Sequence, residues 1–246
     1  MVTDTEGLVL RQIKAANGRR MIVILTKRYG KISAGTSISE GGKNKTALAL
    51  RPFTYGRYEL FKARDSFSIN GAETLQSFYA IGEDVDKYMA ASYALELTDA
   101  LAQEAEPQPA LLGLIRDFLQ LLDERKRAFG TLLIGFQMKA LQIEGSAPQL
   151  DRCMRTGSRE DLQVLSIAEG GMLCGDCAKD LSADPLVFAV TPDQLSALRY
   201  MAAHPIGALK GIGLNEEAEK KLRRLFKAYY AYHLGIENLK SESLLI

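Results

Sequence analysis

The chain has 246 residues, of which 31 are Lys or Arg and 30 are Asp or Glu, so its formal net charge is +1. The length predicts one large domain or two to three small ones, and an apolar fraction of 47% can fill a core. The sequence has no apolar run long enough to cross a membrane, and residues 1–6 lack the basic region and apolar core of a secretory signal. We therefore expect a cytoplasmic protein without a membrane partner.

The near-neutral total hides an uneven distribution of charge along the chain. Residues 1–80 carry 13 Lys or Arg and six Asp or Glu, a net +7. Residues 81–150 carry −5, residues 151–191 carry −3 and residues 192–246 carry +2. Charge asymmetry is informative about partners and not about fold. The basic first segment favours a nucleic-acid partner.

The first 75 residues have the pattern of short strands separated by turns. Strands are predicted over 7–13 and 20–26, with Asn17-Gly18 as the hairpin turn between them. A third strand is predicted over 32–37, followed by a polar loop over 40–45.

The next stretch, residues 48–61, is apolar and aromatic, and its Pro52 and Gly56 predict an edge strand or a bulge. A last strand is predicted to begin at Phe67 and to end at a turn, Asn70-Gly71. About five strands in so short a segment predict a small closed barrel of the size of an oligonucleotide-binding (OB) fold. Periodicity alone does not distinguish it from an SH3-like barrel.

From residue 83 onward the pattern is helical. Apolar residues at a spacing of four predict a helix over 85–104. Two further helices are predicted over 111–126 and 129–143, and the second is nearly apolar throughout, which favours a central position.

Residues 149–191 form a short, irregular segment that carries the three cysteines. After them, Thr191 as N-cap and Pro192 at the first position predict a helix that ends near Ala203. The last helix is predicted to begin after Asn215 and to end at Gly235.

The cysteines supply the most specific chemical signal. Cys174 and Cys177 form a Cys-x-x-Cys turn, a spacing that lets two thiolates bind one tetrahedral zinc ion. Cys153 lies in a turn of similar shape, but Thr156 occupies the position of the fourth thiolate. Three ligands out of four make an incomplete zinc site.

Three interpretations of these cysteines remain open. A zinc ion could be held by three thiolates with water or a carboxylate such as Asp151 or Asp176. Alternatively, the thiols pack as small hydrophobic groups. A thiol oxidoreductase is disfavoured, because the surroundings lack the strand–helix–strand pattern that such a motif requires.

The basic residues of the first segment are interleaved with aromatic ones, at Tyr29, Phe53, Tyr55, Tyr58 and Phe61. Lys and Arg neutralise phosphates, and exposed aromatic rings stack on unpaired bases. For any one ring, burial in a small barrel core is the more ordinary explanation. The only two histidines, His204 and His233, lie outside any catalytic motif, so we expect no enzymatic activity.

The order of these parts resembles the RecO family of bacterial recombination mediators over essentially the whole chain. The resemblance is carried by the segments at 7–11, 25–32 and 50–53, by the cysteine insert, and by the capped helix at 191–200. It implies an α+β multidomain protein, with a five-stranded OB barrel over 1–78 and a mainly helical domain over 79–246. A small zinc-ribbon-like insert would occupy about 149–191.

The resemblance also implies a function in DNA repair. RecO-like proteins bind single- and double-stranded DNA and anneal complementary strands. With RecR they help to load RecA onto single strands that are coated by the single-stranded DNA-binding protein (SSB), whose acidic tail they contact. They are cytoplasmic and associate with the nucleoid, and the family's zinc ligands map onto Cys153, Thr156, Cys174 and Cys177. DNA binding is predicted for seven basic residues of the barrel: Arg19, Arg20, Lys27, Arg28, Lys43, Lys45 and Arg51.

A second hypothesis is a protein-interaction adaptor that binds RecR or SSB and touches DNA only incidentally. It is motivated by the last helix, in which Lys220, Lys221, Arg223, Arg224 and Lys227 alternate with apolar and aromatic residues. A basic amphipathic helix can bind an acidic peptide. A core face opposite a solvated face explains the same pattern.

Overall fold

The structure is a computed structural model that describes residues 1–14, 20–38, 45–64, 66–181 and 183–244. The chain divides into two compact units, Met1–Glu124 together with Leu239–Ile246, and Arg125–Asn238. The predicted Asn17-Gly18 turn and the predicted loop up to Asn44 lie outside the described residues, as do Arg19 and Lys43.

The first unit begins with a closed five-stranded barrel. Its strands follow the order β1-β2-β3-β5-β4, and the barrel closes through antiparallel β1–β4 pairing and parallel β3–β5 pairing. This confirms the predicted OB-like barrel. The strands are β1 (Val2–Lys14), β2 (Arg20–Thr26), β3 (Gly30–Thr36), β4 (Thr54–Lys62) and β5 (Phe67–Ser77).

Alternating apolar side chains form the barrel because each strand turns one face inward. Ile22 and Ile24 of β2 lie two positions apart and are fully buried, as are Tyr58 and Leu60 of β4. Leu50 joins them from the β3–β4 connection. The intervening residues of β2, Val23 and Leu25, are buried as well, so alternation selects the barrel-core side chains of β4, whereas β2 is covered on both faces.

The structure corrects two sequence predictions in the barrel. The stretch 48–61 is not one strand, because Lys45–Ala49 form a short helix, α1, before β4 begins. β4 is not an edge strand, since it pairs with β1 and β5, but the predicted bulge is present as a register shift between Tyr55 and Gly56. The predicted turn at Asn70-Gly71 is also wrong: β5 continues through it, with Gly71 opposite Glu59.

The rest of the first unit is helical. A 3-10 turn over Tyr79–Glu83 leads into α2 (Val85–Leu101), and α3 (Pro109–Glu124) follows. Asp84 caps α2 by accepting hydrogen bonds from the backbone N–H groups of its first turn. A second 3-10 turn, Lys240–Leu244, packs against α2.

The second unit combines three longer helices with a small sheet. The predicted start of α6 is confirmed by a capping box between Thr191 and Gln194. The sheet has the order β7-β6-β8, where the sequence predicted only irregular structure. No helix among the described residues is long and apolar enough to cross a membrane. The elements are α4 (Phe129–Ile143), β6 (Leu162–Ser166), β7 (Gly171–Cys174), α5 (Gly175–Ala178), β8 (Val187–Ala189), α6 (Pro192–Ala203) and α7 (Glu216–Leu234).

Candidate nucleic-acid interface and thiol cluster

A group of cations and aromatic rings lies at the β2–β3 hairpin; we call Arg28, Tyr29, Lys62 and Phe67 the hairpin cluster. The rings of Tyr29 and Phe67 are 5.3 Å apart between centroids. Lys62 Nζ lies 5.0 Å from the Tyr29 centroid, and the Arg28 guanidinium carbon lies 5.3 Å from it. The two cations are exposed, whereas both rings are half-buried and pack against the barrel core. The cluster therefore offers phosphate-binding cations that the rings hold in place.

The hairpin positions this cluster through local backbone geometry. Gly30 has a φ of 64°, a left-handed conformation that favours glycine, and it ends the tight turn. Thr3 and Thr5 of β1 then hold Arg28, through a 2.9 Å bond from its Nη1 to Thr3 Oγ1 and a 3.2 Å bond from its backbone N–H to Thr5 Oγ1. Lys27 is exposed, with its Nζ 4.0 Å from a carboxylate oxygen of Glu6.

Arg20 lies in a different environment from Lys27 and Arg28. It is only 8% exposed. Its guanidinium donates hydrogen bonds to the Ile38 carbonyl at 2.5 Å and to Gln12 Oε1 at 3.3 Å. The DNA-binding role assigned to Arg20 stays a prediction, and these contacts give Arg20 a structural role within the barrel.

Lys45 and Arg51 lie beside a groove of about 1610 Å³ in the first unit, which we call the barrel groove. Both side chains are exposed, and neither forms an ion pair with a residue that the structure describes. The groove is lined by parts of β1, α1, β5 and α2 and by the loop before β4. Its aromatic residues are Phe53, Tyr79 and Tyr88.

The groove also contains acidic residues, two of which are bound by the protein itself. Asp99 accepts a 2.5 Å bond from Arg11 Nε and lies 3.5 Å from Lys31 Nζ. Glu96 accepts hydrogen bonds of 2.8 Å from the backbone N–H groups of Lys240 and Ser241. Arg11 and Lys31 therefore offset the charge of Asp99. The other two acidic lining residues, Glu73 and Glu83, are exposed and form no ion pair with a described residue.

The aromatic residues singled out in the sequence are divided by the fold. Tyr55 and Tyr58 are buried, which agrees with the expectation that most aromatic rings of a small barrel are buried. Burial raises the pKa of both. Phe61 is 45% exposed. Sequence reasoning missed Lys62, Phe67, Tyr79 and Tyr88, because their relation to the basic residues depends on strand pairing and on the helix that follows the barrel.

The three cysteines lie together in the second unit and form the thiol cluster. The sulfur atoms of Cys153, Cys174 and Cys177 are all within 4.8 Å of one another. Cys153 begins a tight turn that closes through a 2.9 Å bond from the Gly157 N–H to its carbonyl, and Gly157 has a φ of 73°. Cys174 ends β7 and Cys177 lies in α5, so two turns bring three thiols to one point.

The turn around Cys153 also stabilises a thiolate. Burial by itself raises the pKa of Cys153, but hydrogen bonds from Thr156 and from backbone N–H groups outweigh it and lower the pKa to about 6. A hydrogen bond with Cys174, together with partial burial, raises the pKa of Cys177 to about 11. Cys153 therefore favours the thiolate form, and Cys177 holds its proton more tightly than an ordinary thiol does.

The fourth position of the cluster is occupied by Thr156, whose Oγ1 lies 3.9 Å from Cys174 Sγ. Neither carboxylate considered from the sequence lies in the cluster. Asp151 is 74% exposed and pairs with Arg199, and Asp176 is 86% exposed and pairs with Lys179. Zinc prefers tetrahedral sulfur ligands at about 2.3 Å, which places sulfur atoms roughly 3.8 Å apart. The thiols therefore fit one metal ion after small movements, with three protein ligands.

Helix α7 combines a buried and a basic face. Leu222, Phe226 and Tyr230 are buried against the unit core. Arg224 is exposed and Arg223 is half-buried, and no ion pair involves either of them among the residues described. This arrangement fits both explanations of the basic helix: binding of an acidic peptide, and a core face opposite a solvated face.

The barrel, the helical body and the thiol-bearing sheet define the chain as a multidomain OB-fold protein. The chain belongs to the recombination protein O (RecO) family: the model described as "Recombination protein O N terminal" matches residues 1–78, and "Recombination protein O C terminal" matches residues 82–243. The family resemblance and the fold class inferred from the sequence are thereby confirmed. The exact domain boundaries stay a prediction.

Curated relatives match over nearly the full chain. The chain is 28% identical to "DNA repair protein RecO" of Alkaliphilus metalliredigens, with 98% of this chain and 97% of the relative covered. It is 31% identical to the protein of that name from Myxococcus xanthus, over 97% of this chain and 94% of the relative. The corresponding Bacillus subtilis protein is 27% identical, over 100% and 94%.

Proposed function

We propose that this protein is a non-enzymatic, cytoplasmic DNA-repair mediator that binds single- and double-stranded DNA and anneals complementary strands. The proposal includes help, together with RecR, in loading RecA onto SSB-coated single strands. The observation that supports it most is the hairpin cluster, where the exposed side chains of Arg28 and Lys62 lie against the half-buried rings of Tyr29 and Phe67 on an OB barrel. Family membership supports the DNA-repair role.

DNA binding is tested by charge reversal at the hairpin. The double variant Lys27→Glu/Arg28→Glu should weaken binding to labelled single strands and lower the slope of log affinity against log salt by about 1.4, roughly 0.7 for each lost phosphate contact on a single strand. The chain offers a matched control in Lys126-Arg127, a second exposed Lys-Arg pair in the other unit. Lys126→Glu/Arg127→Glu makes the same change in net charge. Equal losses in both variants would show that total charge matters and not the hairpin.

The mediator role needs a separate assay. Annealing of complementary strands is measured by loss of a fluorescent signal, with bare strands and with strands coated by SSB. We expect annealing in both cases, and the hairpin variant should slow it. Annealing of bare strands without annealing of coated strands would contradict the mediator role while leaving DNA binding intact.

The adaptor hypothesis is favoured by one specific observation: Arg223 and Arg224 of α7 form no ion pair with a residue that the structure describes. Arg223→Glu/Arg224→Glu should then abolish binding of the acidic SSB tail peptide and leave DNA affinity unchanged. Loss of DNA affinity in the same variant would assign α7 to DNA instead.

We also propose that the thiol cluster binds zinc through Cys153, Cys174 and Cys177. The chemistry of the donor set supports this, since one sulfur already favours the thiolate form and the other two lie within 4.8 Å. The ion would tie the turn of Cys153 to the end of β7. Metal content of protein purified without chelators tests the proposal directly.

A further inference from the structure

The turn that joins Cys174 to Cys177 is fixed to the start of β6 by hydrogen bonds of the protein itself. The Gly175 N–H donates to the Asp161 carbonyl at 3.0 Å and to the Asp161 carboxylate oxygen Oδ2 at 3.2 Å. The other carboxylate oxygen of Asp161 accepts a 2.7 Å hydrogen bond from Gln163 Nε2. Asp161 has a φ of 52°, a left-handed conformation that is uncommon outside glycine. One residue in an unusual backbone conformation therefore holds the beginning of the turn.

The end of the turn is held by Arg155, which belongs to the segment that carries Cys153. The Arg155 guanidinium forms a fork with the Glu169 carboxylate, with Nε 2.8 Å and 3.1 Å from the two oxygens and Nη2 2.6 Å from one of them. From this position Arg155 Nη1 donates to the Cys177 carbonyl at 3.3 Å. A guanidinium that binds a carboxylate through two nitrogens has a fixed orientation. Asp161 and Arg155 thus fix the two ends of one short turn.

The two cysteines of this turn lie close together and differ in exposure. Their sulfur atoms, with that of Cys153, lie within 4.8 Å of one another. Cys177 is half-buried, whereas Cys174 is 8% exposed and Cys153 is 1% exposed. A reagent from the solvent therefore meets the Cys177 sulfur first and finds a second thiol beside it. Asp176, which lies between the two cysteines in the sequence, is turned to the solvent and pairs with Lys179.

Two thiols that are held side by side favour a disulfide over two separate thiols. When one of them forms a mixed disulfide with a small molecule, the other attacks it within the same chain, at a high effective concentration. A loose pair loses conformational freedom when the ring closes, whereas a fixed turn has lost that freedom already on folding. The contacts of Asp161 and Arg155 should therefore strengthen the tendency of the pair to oxidise.

Oxidation of the pair by a small disulfide balances in two exchange steps. In the first, the Cys177 sulfur loses its proton to the solvent and attacks one sulfur of the small disulfide; a new S–S bond forms, the old one breaks, and the released thiolate takes up a proton. In the second, the Cys174 sulfur loses its proton and attacks the Cys177 sulfur, which releases the second small thiol. The two cysteine sulfurs lose two electrons, and the small disulfide is reduced to two thiols.

We propose that Cys174 and Cys177 form a reversible disulfide under oxidising conditions. Asp161 and Arg155 are the positioning residues of this pair. The disulfide excludes zinc, because zinc is bound by thiolates and Cys153 would be the one cysteine of the cluster left to bind it. The pair is a site of modification and not an oxidoreductase centre. This inference goes beyond the DNA-repair function, and only the exclusion of zinc rests on the proposed zinc site.

Equilibration in glutathione buffers tests the pair. Metal-free protein is kept at increasing ratios of oxidised to reduced glutathione, alkylated and mapped by mass spectrometry. We expect a disulfide between Cys174 and Cys177, with Cys153 alkylated. Cys153→Ser should keep this disulfide, and Cys177→Ser should lose it. Glutathione adducts without a disulfide, or a disulfide that includes Cys153, would contradict the proposal.

The positioning role is tested at Asp161. Asp161→Ala should need a roughly 10-fold more oxidising glutathione ratio for half-oxidation, because the turn loses the carboxylate that holds it. Asp161→Asn keeps an acceptor oxygen, tolerates the left-handed conformation and should restore the midpoint. Asp151→Ala is the matched control, because Asp151 is an exposed acid of the same unit that pairs with Arg199.

A second variant guards against misfolding of the first. Arg155→Lys keeps the charge but removes the fork, and it should shift the midpoint in the same direction as Asp161→Ala. Circular dichroism shows which variants are folded. An unchanged midpoint in the folded variants would overturn the positioning role.

A zinc assay separates this inference from the proposed zinc site. Zinc-loaded protein in an oxidising glutathione buffer should release its metal to a chromophoric indicator as the disulfide forms, and reduction should restore binding. If the reduced protein binds no zinc, the zinc site fails and the exclusion of zinc fails with it, whereas the disulfide stands on the mapping. Zinc retained by protein with the Cys174–Cys177 disulfide would overturn the exclusion alone.

Discussion

The sequence indicated both a basic barrel and a group of cysteines, but the fold brings the cysteines together and separates the basic residues. The three cysteines meet within 4.8 Å, although Cys174 lies 21 positions after Cys153 in the sequence. The predicted DNA-binding residues instead separate into distinct places. Lys27 and Arg28 lie at the hairpin, Lys45 and Arg51 beside the groove, and Arg20 is buried.

The difference follows from what each signal encodes. A Cys-x-x-Cys turn fixes the distance between Cys174 and Cys177 within four residues. The fold has only to bring one further thiol, Cys153, to this turn, and a 2.9 Å hydrogen bond from the Met154 N–H to the Met172 carbonyl joins the two segments. Net charge fixes only the number of cations, and their placement depends on which face of each strand is turned outward. A thiol motif therefore predicts a site, whereas a charge excess predicts only that some surface is basic.

The largest expected effect concerns the thiol cluster. Thr156→Cys should raise zinc affinity by on the order of 100-fold, because a fourth thiolate supplies about a quarter of the roughly 10–16 kcal/mol typical of structural zinc. Cys153→Ser should remove bound zinc. Both are measured by competition with a chromophoric chelator under reducing conditions.

Thr156→Ser serves as the control for that experiment, since it keeps the hydroxyl near Cys174 and should leave the affinity unchanged. If Thr156→Cys gains nothing, the fourth position does not face the metal. The thiols would then be a packed group, and the contrast between a precise thiol site and a dispersed basic surface would disappear.

A smaller effect, on the free energy of unfolding, distinguishes Arg20 from Lys27, two basic residues of the barrel. Arg20→Met should lower the free energy of unfolding by about 1–3 kcal/mol, because the Ile38 carbonyl and Gln12 lose a buried partner. Lys27→Met should change it by less than about 0.5 kcal/mol, since the side chain is exposed. Urea unfolding measures both.

DNA binding should show the reverse order. Lys27→Met is expected to reduce the salt dependence of binding by about one phosphate contact, whereas folded Arg20→Met keeps it. A reduced salt dependence in Arg20→Met with unchanged stability would return Arg20 to the binding surface. It would also show that the excess of basic residues in the sequence predicts the DNA-binding residues better than their exposure in the structure does.

The sequence predicted the elements that have strong local signals. Helix α4 lies at 129–143 as expected, and the capping residues Thr191 and Gln194 place the start of α6. It failed where tertiary pairing overrides a local pattern. Asn70-Gly71 is a strong turn signal, yet pairing of Gly71 with Glu59 keeps β5 extended.

The candidate interface was predictable only in part, for the same reason. Tyr55 and Tyr58 lie among basic residues in the sequence but are turned inward, and Lys62 meets Tyr29 only because the barrel brings the end of β4 to the β2–β3 hairpin. Tyr79 and Tyr88 follow the barrel in the sequence. Their approach to Lys45 and Arg51 depends on how α2 packs on the barrel.

The smallest expected effect concerns Glu96, an acidic residue of the barrel groove that accepts hydrogen bonds from the Lys240–Leu244 turn. Partial burial alone raises the pKa of Glu96, but the hydrogen bonds from Ser241 and from the backbone of Lys240 outweigh it and hold the pKa below its usual value. A depressed folded-state pKa means that the stabilisation is complete above the ordinary pKa of about 4.5 and is lost as the pH falls through the folded-state pKa. Docking of the Lys240–Leu244 turn should therefore loosen only in acid.

Hydrogen exchange at the amides of Lys240 and Ser241 measures this docking, after correction for the intrinsic rate at each pH. Their protection should persist at neutral pH and fall in acid, whereas Glu96→Gln should lower it already at neutral pH. Glu104→Gln is the control, since that carboxylate is 67% exposed and pairs with Lys31 instead. Unchanged protection in Glu96→Gln would mean that Glu96 is not engaged by the turn. The groove would then present a third uncovered acidic residue, beside Glu73 and Glu83, next to its basic residues Lys45 and Arg51.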